Sequence, residues 1–252
     1  MMVCSSFLFM PLPFFYKEII DLSADSIILD EDTSKHIVQV LRMQNGGKLQ
    51  LTDGRGSLIT TAITDNNKKK CVVTILELLT SNPKPQTPNI SIAISLTKNS
   101  SRFEWFLEKA TELGVTEIIP LLCERTEKEK FRLDRMKNIL ISAMLQSQQC
   151  WLPVLHEPVQ FDKLWQSSKT LLKLDDYQQK FIAHCIEAEK RNLTDMVNEN
   201  LSKIILIGPE GDFTAEEVQS AIDHHFIPVA LGNTRLRTET AGMVAASLLC
   251  LI

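Results

Sequence analysis

The sequence lacks the short cysteine spacings from which zinc sites and redox pairs are built. Its six cysteines, at 4, 71, 123, 150, 185 and 250, are scattered through 252 residues with no CxxC among them, which excludes a zinc ribbon or a thioredoxin-like motif. They read as reduced, mostly buried thiols of a cytoplasmic protein. No uncharged apolar run approaches the ~20 residues of a membrane-spanning helix. The opening MMVCSSFLFMPLPFF is apolar but has neither the basic start nor the small-residue cleavage site of a secretory signal. Met10 reads as an alternative start, with residues 1–9 a dispensable leader. Positive charge is also short. Lys and Arg number 27 against 31 Asp and Glu, a net charge of −4, too little to hold nucleic acid by bulk charge alone, although a local basic surface stays open.

Common catalytic signatures are missing as well. There is no Walker A loop, no GxSxG elbow and no HExxH. DGRGSLI at 53–59 has Ile59 where a dinucleotide fingerprint places its third glycine. His36, His156 and His184 lack partners at metal spacing, so no metal is expected, and His224 and His225 read as closing a helix, where imidazolium favours the dipole.

What is present is an ordinary globular composition, 44% hydrophobic and 23% charged, long enough for one or two domains. Four of the nine glycines lie between 46 and 56 and four between 208 and 242, so two regions need unusual backbone or close approach. Residues 36–79 read as short strands and turns: LQL at 49–51, SLITTAI at 57–63 and CVVTILELL at 71–79, punctuated by Gly46-Gly47, DGRG and DNNKKK. The lysines at 68–70 read as a solvated turn. TSNPKPQTPN at 80–89 suits a semi-rigid linker. The expected division is a small β domain at 10–80, a linker at 81–89 and an α/β domain at 90–252.

Beyond the linker, strands alternate with helices. Strands are expected at 90–96, 115–122, 169–174, 180–185, 203–207 and 227–231. Ser101 with Glu104 reads as a capping box opening a helix that Gly114 closes. Further helices are expected at 131–149, after the Thr214–Glu217 capping box, and at 238–251. Such alternation predicts a parallel sheet covered on both faces.

Two loops carry the chemistry. KIILIGPEGDFTAEE at 203–217 reads as strand, tight loop and capped helix, placing loop amides beside the carboxyl end of a strand, where open α/β sheets bind ligands. IPVALGNTRLRTETAG at 227–242 repeats the pattern, with Arg235, Arg237 and Glu239 suited to anion or RNA contact and proton handling. An Arg–Glu pair pinning the loop is the structural alternative.

GPEGDFTAEE followed by LGNTRLRTETA resembles the ribosomal RNA small subunit methyltransferase E family, SPOUT (trefoil-knotted) enzymes that methylate N3 of a uridine in 16S ribosomal RNA. HIVQVLRMQNGG at 36–47 and the DGRG turn are similar to that family's PUA-like RNA-binding domain, and KNSSRFEWFLEKATELGVTEIIPLLCERT at 98–126 to its first strand–helix–strand segment. The resemblance implies a knotted C-terminal domain with the knot near 203–242, a homodimer, and S-adenosylmethionine held by Ile207, Gly208, Pro209, Glu210, Gly211, Leu231, Gly232 and Leu236. It implies RNA contact through the first domain, with Arg42 and Arg55 as candidates there, and Arg102 and Arg125 as further candidates. Residues 124–137 hold six basic side chains against four acidic ones, a surface read equally well as a salt-bridged solvent face. Departures from the family pattern are Asp212 in place of a second glycine, Leu145 and Gln149 in place of charged residues, and Gly47 in place of an aspartate.

The implied reaction needs the N3 proton removed and charge on O2 and O4 stabilised. Arg235 or Arg237 suits the second task, and Glu239 the first, provided burial or a neighbouring carboxylate makes it an efficient base. A ribose 2′-O-methyltransferase on the same scaffold and a catalytically inactive RNA-binding assembly factor stay open beside this reading.

Overall fold

The computed structural model describes residues 12–81, 88–127, 130–166, 174–186 and 190–251. The chain divides into two compact units, Met1–Lys84 with Gln148–Trp151, and Pro85–Ser147 with Leu152–Ile252. Residues 82–87 of the expected linker lie outside the described residues.

The first unit is a five-stranded sheet formed by β1 (Phe14–Tyr16), β2 (Ser26–Ile28), β3 (Lys48–Thr52), β4 (Ser57–Asp65) and β5 (Val72–Ser81). Their order is β1-β3-β4-β5-β2, with β1 parallel to β3 and the other pairs antiparallel. Period-two alternation turns Leu49 and Leu51 of β3, and Ile59 and Ile63 of β4, into one core with Phe15, Ile27, Ile37 and Val73. Not all of 36–79 is strand and turn, as the sequence suggested. Helix α1 (Glu31–Lys35) runs into a π-helical turn at His36–Val40. Asp30 starts it by accepting from Thr33 N, Glu31 and Asp32 favour its first turn, and the turn buries Ile37. Gln148–Trp151 joins this unit through the Cys150 carbonyl, which accepts from Gly56 N at 2.8 Å, and a bridge between Trp151 and Arg55.

The second unit comprises β6 (Ile90–Ser95), α2 (Ser100–Leu113), β7 (Glu117–Leu122), α3 (Leu133–Gln146), β8 (Val154–Leu155), β9 (Val159–Gln160), β10 (Gln179–Ala183), β11 (Arg191–Asn192), β12 (Lys203–Ile207), α4 (Ala215–Asp223), β13 (Ile227–Ala230) and α5 (Thr238–Leu251). Every strand pairing in it is parallel, in the order β11-β13-β10-β12-β6-β7-β8, with β9 also on β7. Alternate residues of each central strand feed opposite faces. Ile92, Ile94, Ile205 and Ile207 pack with Phe103, Phe106, Leu140 and Leu249 from α2, α3 and α5. Ala93, Ile204 and Leu206 pack with Val218 and Ala221 of α4 and with Phe213. The parallel sheet with helices on both faces is as expected.

Several boundaries differ. Helix α2 is capped by Asn99, whose side chain accepts from Ser101 N, not by a Ser101–Glu104 box; Glu104 instead pairs with Arg135 at 2.7 Å. Gly114 does close it, in the left-handed region at φ +93°. Helix α3 stops at Gln146, two residues before Gln148 takes φ +56°. Of the strand expected at 169–174, residues 169–173 lie outside the described residues, and Leu174 begins a 3₁₀ turn. The Thr214–Glu217 capping box forms in full, and α5 starts at Thr238. His224 caps the end of α4 and stacks on Trp165, ring centroids 4.2 Å apart. Among the described residues no helix is long and apolar enough to cross a membrane, and no His, Cys, Asp and Glu group could hold a metal.

Candidate functional site

Three neighbouring strands of the second unit, β13, β10 and β12, end on one side of the sheet. The loops leaving them enclose a cavity of about 440 Å³, within the roughly 300–1,000 Å³ of small-molecule sites.

The loop after β12 is built for a sharp reversal. A Cβ on Gly208 would sit 3.0 Å from the Phe213 ring, so a larger residue there would displace a buried aromatic. Asp212 N donates to Pro209 O at 2.9 Å, closing the turn, and Asp212 itself takes φ +64°. Aspartate tolerates that left-handed conformation better than most residues. Its carboxylate has a task a glycine lacks: Oδ1 accepts from Phe213 N at 2.9 Å and Oδ2 from Cys185 N at 2.7 Å. The departure from the family pattern therefore ties the β12 loop to the end of β10. Arg125 Nη1 donates to Gly211 O at 2.8 Å, and Glu210 Oε1 accepts from Lys98 N at 3.0 Å. Below the loop, Glu217 completes the cap of α4 and accepts from Glu124 N at 2.9 Å.

The loop after β13 passes through Gly232 at φ +133°, open to a glycine and strained for other residues. At its far end Thr238 Oγ1 donates to Gly208 O at 3.0 Å, joining the two loops. One residue on, Glu239 is 8% exposed. Its Oε1 lies 3.6 Å from Arg102 Nε of α2, and its Oε2 has no hydrogen-bond partner among the described residues.

The end of β10 forms the remaining wall. His184 is 8% exposed, and among the described residues neither ring nitrogen has a partner. Burial and the nearby Lys190 ammonium lower its pKa, with Asp212 opposing them. Lys190 Nζ donates to the carbonyls of His184 and Ile186 at 2.7 and 2.9 Å.

Comparison with known proteins fixes the family. Residues 83–250 match the RNA methyltransferase domain and residues 29–76 the RNA methyltransferase PUA domain. A ribosomal RNA small subunit methyltransferase E from Synechocystis is 30% identical over 83% of this chain and 68% of its own length. The chain belongs to the ribosomal RNA small subunit methyltransferase E family. A crystal structure of a "probable rRNA-methyltransferase" from Porphyromonas gingivalis superposes with a TM-score of 0.83 at 38% identity, covering 94% of this chain and 96% of that one. The family's enzyme from Neisseria gonorrhoeae, bound to S-adenosyl methionine, superposes at 0.78 with 28% identity, covering 94% of this chain and 95% of that one. The mixed α/β architecture with a PUA-like N-terminal domain is thus the family's.

The residues implied for the family's cofactor gather on this cavity. Ile207, Gly208, Pro209 and Glu210 line it from one loop, and Leu231, Gly232 and Leu236 from the other. Gly211 is placed behind the wall, with Arg125 packed on it. Of the catalytic candidates, Arg235 lines the cavity, Arg237 is exposed on the same loop, and Glu239 is buried at the start of α5. Arg102, a candidate for RNA, is half-buried against Glu239, so the pair offered as the structural alternative forms with an arginine from another element. Arg42 and Arg55 are exposed in the first unit. His184, Lys190 and Thr238 were not foreseen. A screen for metal spacing passes over a lone histidine, although its place at the carboxyl end of a strand between the two loop-bearing strands is a usable signal.

Proposed function

We propose that this chain methylates N3 of a uridine in 16S ribosomal RNA of the small subunit, using S-adenosylmethionine. The observation that carries the reading is the convergence of the 207–210 and 231–236 loops on one cavity at the carboxyl ends of adjacent parallel strands. The cavity fits the cofactor: apolar walls from Ile207, Leu231 and Leu236, backbone-rich loops, and a buried polar lining residue, His184, whose ring has no partner among the described residues. When bound, the cofactor supplies an electrophilic methyl group on a sulfonium.

The chain's own residues carry the rest. Uracil N3 becomes a good nucleophile once its proton leaves. Glu239 is the proton acceptor in this reading, held by Arg102 through Oε1 so that Oε2 is the oxygen with no described partner. Glu239 is buried at the start of α5, where bulk water does not compete for that oxygen. Arg235, on the cavity wall, and Arg237 beside it place guanidinium groups for the charge spreading over O2 and O4. Alignment of N3 with the methyl group alone is worth about 7–11 kcal/mol in favourable cases.

The finer architecture follows the family as well. β12 and β13 flank β10, and Thr238 bonds back to Gly208, which supports a trefoil knot over 203–242. Helix α5 has no charged residue after Glu239 and exposes Leu251, which supports a homodimer. The PUA-like unit with Arg42 and Arg55, together with Arg125 beside the knot, would engage RNA, in the cytoplasm where ribosomal subunits are found. The division at 81–89, with 90–252 as the catalytic domain, belongs to the same proposal.

The test is methyl transfer to RNA from a strain lacking the mark, followed by nucleoside digestion and mass spectrometry. This account expects 3-methyluridine. A 2′-O-methylated nucleoside would replace it with the ribose reading, and cofactor binding without any mark would point to an assembly role. Binding to subunits should weaken steeply with salt.

A further inference from the structure

The end of β10 is held from two sides by charged side chains. Asp212 grips the amide of Cys185, and Lys190 grips the carbonyls of His184 and Ile186. Such a turn fixes the backbone on either side of His184 while leaving its imidazole outside every described hydrogen bond. A buried polar group without a partner is costly, and a folded chain keeps one where something else satisfies it. His184 is one of the residues lining the cavity, between the loops of β12 and β13. Burial and Lys190 favour its neutral form, which presents one donor and one acceptor. The charged residues lining the same cavity are of both signs, Lys190 and Arg235 beside Glu210 and Asp212, and Lys190, Glu210 and Asp212 are already engaged by backbone groups. An uncharged imidazole complements an uncharged group that both donates and accepts, and within a nucleoside the ribose diol is such a group.

We infer that His184 is a ligand-binding residue of this cavity, recognising the ribose hydroxyls of the adenosyl moiety. The inference rests on the reading of the cavity as the cofactor site. Both ring nitrogens are sealed from solvent as the side chain stands, so binding requires the ring to turn an edge toward the cavity, and the unmet hydrogen bonds favour that rotation.

The test is a calorimetric titration with S-adenosylhomocysteine and its 2′-deoxy and 3′-deoxy forms, against wild type, His184→Ala and His184→Leu. Losing one good hydrogen bond weakens binding about tenfold. The wild type should lose about that much with at least one deoxy ligand, and both variants should lose it with the parent ligand and show no further loss with that deoxy form. His184→Leu fills the same space without stranded polar atoms, so without ligand its melting midpoint should match or exceed that of the wild type. Tight parent binding by the variants, or a deoxy penalty that persists in them, would overturn the assignment while leaving the cofactor reading intact. A lowered melting midpoint in His184→Leu with unchanged affinity would mean the imidazole is structural. If the wild type takes up no S-adenosylhomocysteine, the cofactor reading fails and the assignment with it.

Discussion

The two ends of the parallel sheet treat buried polar groups in opposite ways. At the amino end, Glu117 opens β7 and its carboxylate gathers three donors: Ser91 Oγ at 2.6 Å, His156 Nε2 at 2.6 Å and the Tyr177 hydroxyl. The Ser91 and Tyr177 oxygens lie 2.6 Å apart, close enough for either to turn its proton to the other, and Tyr177 has its phenol pushed up by burial and by the carboxylate. At the carboxyl end, His184 and one oxygen of Glu239 are as buried but have no described partner. A satisfied cluster holds strands together, whereas an unsatisfied one is kept for a ligand or a proton. The proposed chemistry lies at the end where buried polar groups have no described partner.

Substitutions at the two ends should therefore separate activity from stability. The largest effect is expected from Glu239→Gln, which keeps the size of the side chain and removes the base. Turnover on small-subunit RNA should fall about 10²–10⁴-fold, with S-adenosylhomocysteine affinity and melting midpoint unchanged. Unchanged turnover would make Glu239 a structural partner of Arg102. Glu117→Ala should do the reverse. It leaves His156 Nε2 and one of the two hydroxyl protons of Ser91 and Tyr177 without their acceptor and should cost about 1–3 kcal/mol in urea unfolding, while cofactor affinity holds.

The same carboxylate sets an acid limit. Burial pushes the Glu117 pKa up, but hydrogen bonds from His156, Ser91 and Tyr177 outweigh it and hold the net value below the ordinary 4.5. A carboxylate depressed in the folded state stabilises fully above its unfolded pKa and loses that contribution as pH falls through the folded one. Unfolding midpoints should drop below pH 4.5, and Glu117→Gln should flatten that drop.

Between the two ends, Gly242 lets α5 approach the sheet. A Cβ there would lie 2.6 Å from Ile94 Cδ1 and 2.8 Å from the Phe106 ring. Gly242→Ala should cost about 1–3 kcal/mol by overpacking, read by thermal melting. The smallest change is expected from Asp212→Gly. It relieves the left-handed backbone and loses the bond to Cys185 N, so stability should move by less than about 1 kcal/mol. Affinity for S-adenosylhomocysteine should still fall a few-fold, because the β10 turn is loosened.

Much of this was legible in the sequence because it is local. Strand–loop–helix patterning located the two loops within 203–217 and 227–242, the family resemblance named the residues of those loops that line the cavity, and the Thr214–Glu217 spacing located a cap that forms as written. The start of α2 misled because Asn99 and Ser101 are both good caps and spacing alone cannot rank them. What stayed hidden is long-range. The partner of Glu239 comes from Arg102 on α2, the tether of the β10 turn comes from Asp212, and Gln148–Trp151 sits with the first unit. None of these pairings leaves a periodic trace.

The account stands most directly on small ribosomal subunits from a strain lacking the uracil-N3 mark, incubated with this protein and S-adenosylmethionine and read by reverse transcription. Methylation at N3 blocks pairing, so a single new cofactor-dependent stop at one uridine of 16S RNA is predicted. Subunits that acquire no stop, while the protein binds the cofactor, would contradict it.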